Sequence, residues 1–369
     1  MSDAETLKQA LGGLERCVGH TPNAGAYVFT TLNLSPSLPT ESPRAKVQDL
    51  SSLTKLTELR KVRVSSQAIR DLSPIASLPF LVELQADHNE LDMSIERCAA
   101  RWCKEEDGER AWRSGDRSIG SVLEVVNLSY NQIVGPIGDH SKHRFLKQLN
   151  LSNNQLVNLG PGLSKLPNLK TLNVANNGLK AIETNDLPTS LTSLDASTNA
   201  LKAIDFATNL IMLEVINLDA NRVSNVHALM CCQSLRHASV KNNLLAEFTC
   251  IEDLAENEHL QQLSISGNPL CAVEFLRLRV IAILQQLRVL DNEEVNAEDK
   301  IKSEVLTGSE HEERKNNWSR MIGTEFVDMV PAFIENSKED QLKIEEAIQL
   351  SASDAVEEVI RQATPRKGD

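Results

Sequence analysis

The chain has 369 residues, of which 41% are hydrophobic, 24% are charged and only 4% are aromatic. Its formal net charge of −13 argues against nucleic acid and against an anionic membrane as a partner. No uncharged apolar run is long enough to span a bilayer, and the start of the chain lacks the basic and apolar regions of a signal peptide. The seven cysteines follow no disulfide framework. These features predict a soluble cytoplasmic protein.

The N-terminal segment, residues 1–52, is predicted to cap the rest of the fold with a helix and an edge strand. Ser2 and Glu5 have the spacing of a capping box, which satisfies free backbone donors at the start of a helix. Three leucines then recur on one helical face: Leu7, Leu11 and Leu14. The run AYVFTTLNL, residues 26–34, is interpreted as an edge strand or partial repeat that closes the apolar end.

Residues 53–272 carry nine copies of the pattern L-x-x-L-x-L-x-x-N-x-L. Successive copies are separated by 22, 42, 23, 23, 22, 22, 22 and 25 residues. Leucine fills the first position throughout: Leu59, Leu81, Leu123, Leu146, Leu169, Leu191, Leu213, Leu235 and Leu260. This period is the signature of leucine-rich repeats, and the spacing resembles that of their phosphatase-regulator-like subclass. We therefore predict an α/β leucine-rich repeat solenoid, a parallel-sheet horseshoe with N- and C-terminal caps and a helical tail.

Asparagine occupies the ninth position in eight of the nine copies, and only the first copy departs, with Gln67. The fourth and sixth positions are apolar between polar neighbours, as in a short strand with one buried face. Where the chain turns away from that strand, backbone groups lose their sheet partners, and a buried amide can satisfy both donors and acceptors. We therefore predict a structural asparagine ladder: Asn89, Asn131, Asn154, Asn177, Asn199, Asn221, Asn243 and Asn268.

The second half of each copy, as in residues 154–169, repeats leucines at spacings of three and four with a proline near its end. These spacings predict a short helix or 3₁₀ turn on the convex side of each coil. Because one coil cannot bury its apolar face alone, its stability must come from its neighbours.

The side chains between the strand leucines are predicted to line the concave face, where solenoids of this kind normally bind partners. They are small and polar, with few aromatic residues and no strong charge cluster. Interface hot spots favour Trp, Tyr and Arg, so Arg63 and Tyr130 are the binding candidates on this face. Such a surface suits a polar, hydrated contact or an extended segment, or it binds no tight ligand at all.

An insertion interrupts the repeat between the second and third copies and is placed at residues 96–118. It is highly charged and carries Trp102, Trp112 and Arg113. An aromatic anchor among arginines is common at interfaces, so one interpretation is a loop that docks a partner. The alternative is that both tryptophans fold back onto the convex side and cover a helix end.

Residues 273–295 resemble the cap that follows many intracellular leucine-rich repeats, with Asp291 among regularly spaced apolar residues. The segment 296–369 holds 17 acidic and 10 basic residues, a net charge of −7. We predict that it is an acidic, largely helical tail that binds a partner, although its helices could instead pack along the solenoid. Three aromatic residues of the tail are binding candidates: Trp318, Phe326 and Phe333.

The sequence contains no phosphate-binding loop, no zinc-protease motif and no nucleophile elbow. Cys98 and Cys103 lie close together in the chain, but their spacing matches no zinc signature. We therefore predict a non-enzymatic protein without catalytic residues, cofactor, metal or small-molecule substrate, whose activity is to bind other proteins.

Several short runs are more specific than the general repeat. Residues 25–27 (GAY) enter the first strand, residues 71–74 (DLSP) close a repeat, and residues 130–133 (YNQI) end another. With the segment 84–91, they resemble the leucine-rich repeat-containing protein 23 family of the radial spokes of motile cilia and flagella. The resemblance implies a structural subunit of the axoneme that contacts other spoke proteins and supports motility. The insertion and the tail depart from the family pattern.

Two other functions share this fold. A regulatory subunit of a protein phosphatase is expected to concentrate acidic and aromatic residues on its concave face, and the sequence has few of them there. A subunit of a nuclear RNA particle is expected to carry a basic surface or a nuclear localisation run, and the sequence has neither.

Overall fold

The computed structural model describes residues 14–15, 30–35, 49–92 except 57 and 79, and 122–307 except 139, 141 and 142. The chain divides into two compact units, unit 1 (Met1–Ala200) and unit 2 (Leu201–Asp369). Both units are built from leucine-rich repeat coils that stack short parallel strands, so the predicted fold class is confirmed. The division falls inside the predicted repeat region, and the predicted domain boundaries stay predictions.

In unit 1, seven three-residue strands form a parallel sheet, and a two-residue strand pairs antiparallel with the first of them. The strands are β1 (Leu14–Glu15), β2 (Thr31–Asn33), β3 (Lys61–Arg63), β4 (Glu83–Gln85), β5 (Val125–Asn127), β6 (Gln148–Asn150), β7 (Thr171–Asn173) and β8 (Ser193–Asp195). Equivalent repeat positions lie side by side, as with Leu149 and Leu172. Because each residue pairs with the equivalent residue of the next repeat, the apolar side chains form columns on the buried face.

The start of the sheet corrects the expectation for Leu14, and of the two alternatives for residues 26–34 it agrees with the partial repeat, since β2 pairs parallel with β3. Leu14 was expected on a helix, but it lies in β1, which pairs antiparallel with β2 through Leu14 and Leu32. The strand expected at the edge, β2, therefore has a partner on both sides within unit 1. A covered edge leaves no row of free backbone groups there. The rest of the predicted N-terminal helix lies outside the described residues.

Unit 2 repeats the same plan and ends in a hairpin. Its strands are β9 (Val215–Asn217), β10 (His237–Ser239), β11 (Gln262–Ser264), β12 (Val289–Leu290) and β13 (Glu293–Glu294). The first four are parallel, and β13 turns back antiparallel to β12. The reversal ends the parallel ladder at a strand of two glutamates, a charged edge that resists further pairing.

The core consists almost wholly of aliphatic side chains from the repeat. Leu172 is 0% exposed, and the equivalent Leu149 and Leu194 are also buried. Each such leucine contributes roughly 1.5–3 kcal/mol when it is fully removed from water. Phe206 of unit 2 is the largest fully buried side chain in the described part of the chain.

The side opposite the sheet contains short 3₁₀ helices in several coils, as expected. They span Ser51–Lys55 and Ser73–Ser77 in unit 1, and Asp205–Asn209, His227–Cys231, Asp253–Glu256 and Pro269–Ala272 in unit 2. In the coil that begins at Leu146, residues 161–165 form turns, and the Leu166 amide donates to the Leu163 carbonyl oxygen at 3.0 Å, as in a 3₁₀ turn. Gly160 has a φ of +70°, and a Cβ at Gly162 would lie 1.8 Å from the Gly138 carbonyl oxygen. These glycines permit a close approach to the preceding coil.

Three α-helices are described, all in unit 2: α1 (Thr249–Glu252), α2 (Leu276–Ile283) and α3 (Ala297–Thr307). The Asp291 carboxylate accepts hydrogen bonds from the backbone amides of Ile265 (2.8 Å) and Ser266 (2.9 Å). These amides end the stack of repeats, so Asp291 satisfies donors that have no further coil to bond.

Helix α3 is attached to this cap by the side chain of Arg277. Its guanidinium donates to the Glu294 carbonyl oxygen at 2.9 Å and to the Asp299 carboxylate at 2.9 Å. The Lys300 ammonium also donates to the Gln285 carbonyl oxygen at 3.0 Å. The first helix of the predicted tail thus packs on the repeats, while the tail beyond residue 307 lies outside the described residues.

Candidate protein-binding surface

The ninth-position asparagines connect each coil to the one before it. In unit 1, the Asn154 side-chain oxygen accepts from the Ile133 amide at 3.0 Å, and its nitrogen donates to the carbonyl oxygens of Leu128 and Leu151. In unit 2, Asn243 repeats the arrangement with the Val223 amide and the Leu218 carbonyl. A side-chain amide is needed at the ninth position because the backbone that turns there presents both buried donors and buried acceptors.

The eighth position has a left-handed backbone in every described copy. The φ angles run from +52° to +75° at Ser66, His88, Tyr130, Asn153, Asn176, Thr198, Ala220, Asn242 and Gly267. This conformation directs the backbone amide at the next coil, as when Tyr130 donates to the Ser152 carbonyl oxygen at 3.0 Å. The fold therefore imposes a backbone conformation that favours Asn and Gly, whichever residue stands there.

Arg63, the first of the two described binding candidates, belongs to a charged network on the solvent-facing side of unit 1. Its guanidinium lies 3.2 Å from the Glu83 carboxylate, which also binds the Lys61 ammonium at 3.0 Å and the Gln85 amide at 2.9 Å. Burial by itself raises the pKa of Glu83, but the hydrogen bonds and charges of Lys61 and Arg63 outweigh it and hold that pKa below its ordinary value. Arg63 is thus oriented and largely neutralised within its own coil stack.

Tyr130, the second candidate, stacks on a histidine of the preceding coil. Its ring lies 4.2 Å from that of His88, with only 12° between the two planes, and the side chain is 50% exposed. His88 is oriented by a 3.0 Å contact between its Nδ1 and the Asp87 carboxylate, which accepts a 2.6 Å hydrogen bond from Ser65. The aromatic pair therefore lies in the two coils that follow the coil of Arg63.

Two exposed valines follow the eighth position by four residues in successive coils. Val134 and Val157 are 46% and 48% exposed and occupy equivalent positions. Their loops stack directly, because Gln155 donates its amide to the Ile133 carbonyl oxygen at 3.0 Å. A Cβ at Gly135 would lie 2.2 Å from the Asn158 carbonyl oxygen, so the two coils approach closely just beyond the valines.

We call His88, Tyr130, Val134 and Val157 together the Tyr130 ridge. Sequence reasoning identified Tyr130 but not the other three residues. The signal was present at the eighth position, since His88 and Tyr130 fill it in copies that are adjacent once the insertion is removed. The valines follow the buried leucine or isoleucine of each copy, at a position that also holds Arg70 and Lys180.

The remaining six candidate residues lie outside the described residues: Trp102, Trp112, Arg113, Trp318, Phe326 and Phe333. Their role in binding stays a prediction. The described site is therefore confined to the part of unit 1 that carries Arg63 and the Tyr130 ridge.

Two of the few acidic residues predicted for the concave face, Asp195 and Asp219, are engaged within the repeats. Asp195 of unit 1 accepts hydrogen bonds from the amide and hydroxyl of Ser197. Asp219 of unit 2 accepts from the Ser239 hydroxyl at 2.6 Å and the Lys241 amide at 2.8 Å. Both carboxylates therefore support loops of their own units.

Two of the four described cysteines, Cys232 and Cys250, are buried, while Cys231 is intermediate and Cys271 is exposed. Burial, with a smaller contribution from Cys231, raises the pKa of the Cys232 thiol to about 12, and its sulfur donates to the Ala207 carbonyl oxygen at 3.4 Å. Burial also raises the pKa of Cys250 and Cys271. A raised pKa keeps a thiol protonated and weakly nucleophilic. Across the described ranges, no three His, Cys, Asp or Glu side chains are grouped to hold a metal ion.

Comparison with protein families finds leucine-rich repeats in two adjoining stretches. Residues 144–188 match a model described as leucine rich repeats in two copies, and residues 189–316 match a second leucine-rich repeat model. Both are repeat families that typically bind proteins. In the described part of the chain, no helix is long and apolar enough to cross a membrane.

One curated relative comes from a flagellate. Over 97 residues the chain is 33% identical to dynein axonemal assembly factor 11 of Trypanosoma brucei brucei. The match covers 26% of this chain and 25% of that protein, so the chain spans about a quarter of the relative's length.

Similar solved structures share the fold at low identity. An internalin of Listeria monocytogenes (TM-score 0.50, 20% identity) is matched over 66% of this chain and 64% of its own length. A leucine-rich repeat protein of Leptospira interrogans (TM-score 0.52, 23% identity) is matched over 65% of this chain and 56% of its own. The chain therefore spans less than two thirds of either structure, and the likeness concerns the fold alone.

Proposed function

We propose that this protein is a non-enzymatic binding scaffold of the ciliary or flagellar axoneme, and more specifically a radial spoke subunit that supports motility. The observation that carries the binding role is the exposed Tyr130 ridge, which the repeats hold in place on stacked coils. The partial similarity to an axonemal assembly factor supports the ciliary setting. The short runs at residues 25–27, 71–74 and 130–133 support the radial spoke.

A second candidate is a role in assembling axonemal dyneins in the cytoplasm before they enter the cilium. The 33% identity over 97 residues to dynein axonemal assembly factor 11 favours it. The two candidates differ in where the protein resides at steady state, since a spoke subunit stays in the axoneme and an assembly factor stays in the cell body.

Localisation separates the candidates. A version tagged at its own gene locus in a flagellated cell is followed in demembranated axonemes and in the cell-body fraction. A spoke subunit is expected to remain in the axonemes after detergent and to leave only with strong salt. Confinement of the tagged protein to the cell body would contradict the spoke proposal and favour dynein assembly. A known soluble flagellar protein serves as the control for complete extraction.

Loss of the gene provides a second, independent readout. Electron tomography of mutant axonemes is expected to show missing or shortened radial spokes with dynein arms in place. Missing dynein arms with complete spokes would support the assembly candidate instead. Re-expression of the wild-type chain must restore the structure for either result to count.

A further inference from the structure

We propose that the Tyr130 ridge binds a basic segment of a partner protein, one in which an arginine or lysine stands beside a large apolar side chain. The inference rests on the proposed function as a protein-binding scaffold and adds the chemistry of the partner. It concerns unit 1 alone.

The ridge is continuous because its loops are hydrogen-bonded to one another. His88 donates its amide to the Ser129 carbonyl oxygen at 3.1 Å, and Tyr130 donates to Ser152 at 3.0 Å. Gln132 and Gln155 donate in the same way to the preceding coils at Leu91 and Ile133. Stacked coils place equivalent side chains about 5 Å apart. Stacking therefore pairs His88 with Tyr130 and Val134 with Val157. The two pairs are linked along one loop, since Tyr130, Gln132 and Val134 are exposed at alternate residues, and we infer that a single extended segment can cover both.

Tyr130 is an unusual residue for its position. At a φ of +54° a bulky side chain is disfavoured, and the next two coils have Asn153 and Asn176 there. The residue is only half buried in exchange, since 50% of its surface faces solvent. A strained and exposed aromatic residue, supported from behind by His88, is a common feature of binding sites.

The charges around the ridge indicate the sign of the partner. The loop beside Tyr130 carries three carboxylates, Asp87, Glu90 and Asp92, and the nearby Arg70 pairs with Glu90 at 2.8 Å. Asp92 is exposed and forms no ion pair with a described residue. An arginine of the partner would meet both this negative charge and the face of an aromatic ring. An apolar neighbour of that arginine would cover Val134 and Val157.

The same charges disfavour a second copy of this chain as the occupant. A symmetric pair through the ridge would place identical carboxylates opposite each other. The formal net charge of −13 adds repulsion between copies.

The test selects dodecapeptides from a random phage-displayed library on the full-length protein. The variant Tyr130→Asn serves for counter-selection, because Asn153 and Asn176 show that asparagine accepts this backbone. Enriched peptides are expected to combine Arg or Lys with Leu, Phe or Trp. Their affinities are then measured by fluorescence anisotropy at low and at high salt.

Tyr130→Asn is expected to weaken the enriched peptides by about tenfold or more, since it removes the anchor. Val134→Lys, which copies Lys180 at the equivalent position, is expected to weaken them by a similar factor. Asp92→Asn should weaken them by about threefold and reduce the salt dependence. The matched control is Lys202→Ser, at the equivalent exposed position in unit 2, which should leave the affinities unchanged. All variants must unfold at the wild-type temperature.

Failure to enrich any peptide, enrichment of acidic peptides, or affinities that Tyr130→Asn leaves unchanged would each overturn the proposal. So would self-association of the wild type in sedimentation that Tyr130→Asn abolishes, because a second copy would then occupy the ridge. Peptide binding that appears only in the Trp102→Ala/Trp112→Ala variant would assign the ridge to the chain's own insertion. Binding of basic peptides by a protein absent from axonemes would overturn only the proposed cellular setting.

Discussion

The eighth and ninth positions of each repeat are neighbours in the chain, yet they are under different constraints. Asn154 is 8% exposed and joins two coils through buried side-chain hydrogen bonds. Asn153 joins its coil to the next through its backbone amide and one exposed side-chain contact with Asn176. The side chain at the ninth position is therefore dictated by the fold. At the eighth position only the φ angle is dictated, so the side chain is available for function, and Tyr130 uses that freedom.

The largest effect on stability is expected at a position where the fold dictates a buried apolar side chain. Leu172→Asp places a carboxylate in a fully buried column of unit 1, so we expect a loss of about 4 kcal/mol or more in the free energy of unfolding. Urea denaturation followed by circular dichroism measures it. Lys170→Asp is the control, since it places the same carboxylate at an exposed position of the same coil. An unchanged midpoint for Leu172→Asp would mean that the proposed column is wrong.

Asn154→Ala tests the ladder itself. The change leaves the Ile133 amide and the carbonyl oxygens of Leu128 and Leu151 short of buried partners. Each unsatisfied group costs about 1–3 kcal/mol, so we expect a loss of roughly 2–4 kcal/mol. Hydrogen exchange at the Ile133 amide should rise together with the lower stability. Protection of that amide in the variant would show that water or a neighbour replaces the asparagine.

Asn153→Ala changes the adjacent asparagine and should cost much less. Its side chain accepts a 2.5 Å hydrogen bond from Asn176 in a half-exposed place, and Ala220 shows that alanine accepts the same φ. We expect a loss of about 1 kcal/mol or less. One urea series measures the free energy of unfolding of Asn154→Ala and of Asn153→Ala, and the ratio of the two losses is compared. Equal losses would remove the distinction between the eighth and ninth positions.

Tyr130→Asn is expected to have the smallest effect on stability. The variant loses the contact with His88 but gains a residue that tolerates the left-handed backbone. The free energy of unfolding should therefore stay within about 0.5 kcal/mol of wild type. Thermal unfolding by calorimetry measures it. A large loss would give the ridge a structural role and weaken the case for binding.

Sequence reasoning located the repeat, its register and the strand leucines because these depend on a short pattern that each coil repeats. It was less successful where a single event decides the structure. The close approaches of neighbouring coils at Gly160 and Gly162 are not encoded by the leucine spacing. Covering of β2 by β1 likewise depends on a contact between segments that do not follow the repeat.

What the sequence by itself determined is the periodic part of this protein: the parallel strands, the aliphatic interior and the position of each asparagine. These follow from local spacing, since every coil must bury the same face and satisfy the same turning backbone. Only the tertiary structure decided that His88 and Tyr130 stack and that Val134 and Val157 continue their surface. The two rings are 42 residues apart in the chain, and the stacking of coils across the insertion is what brings them within 4.2 Å.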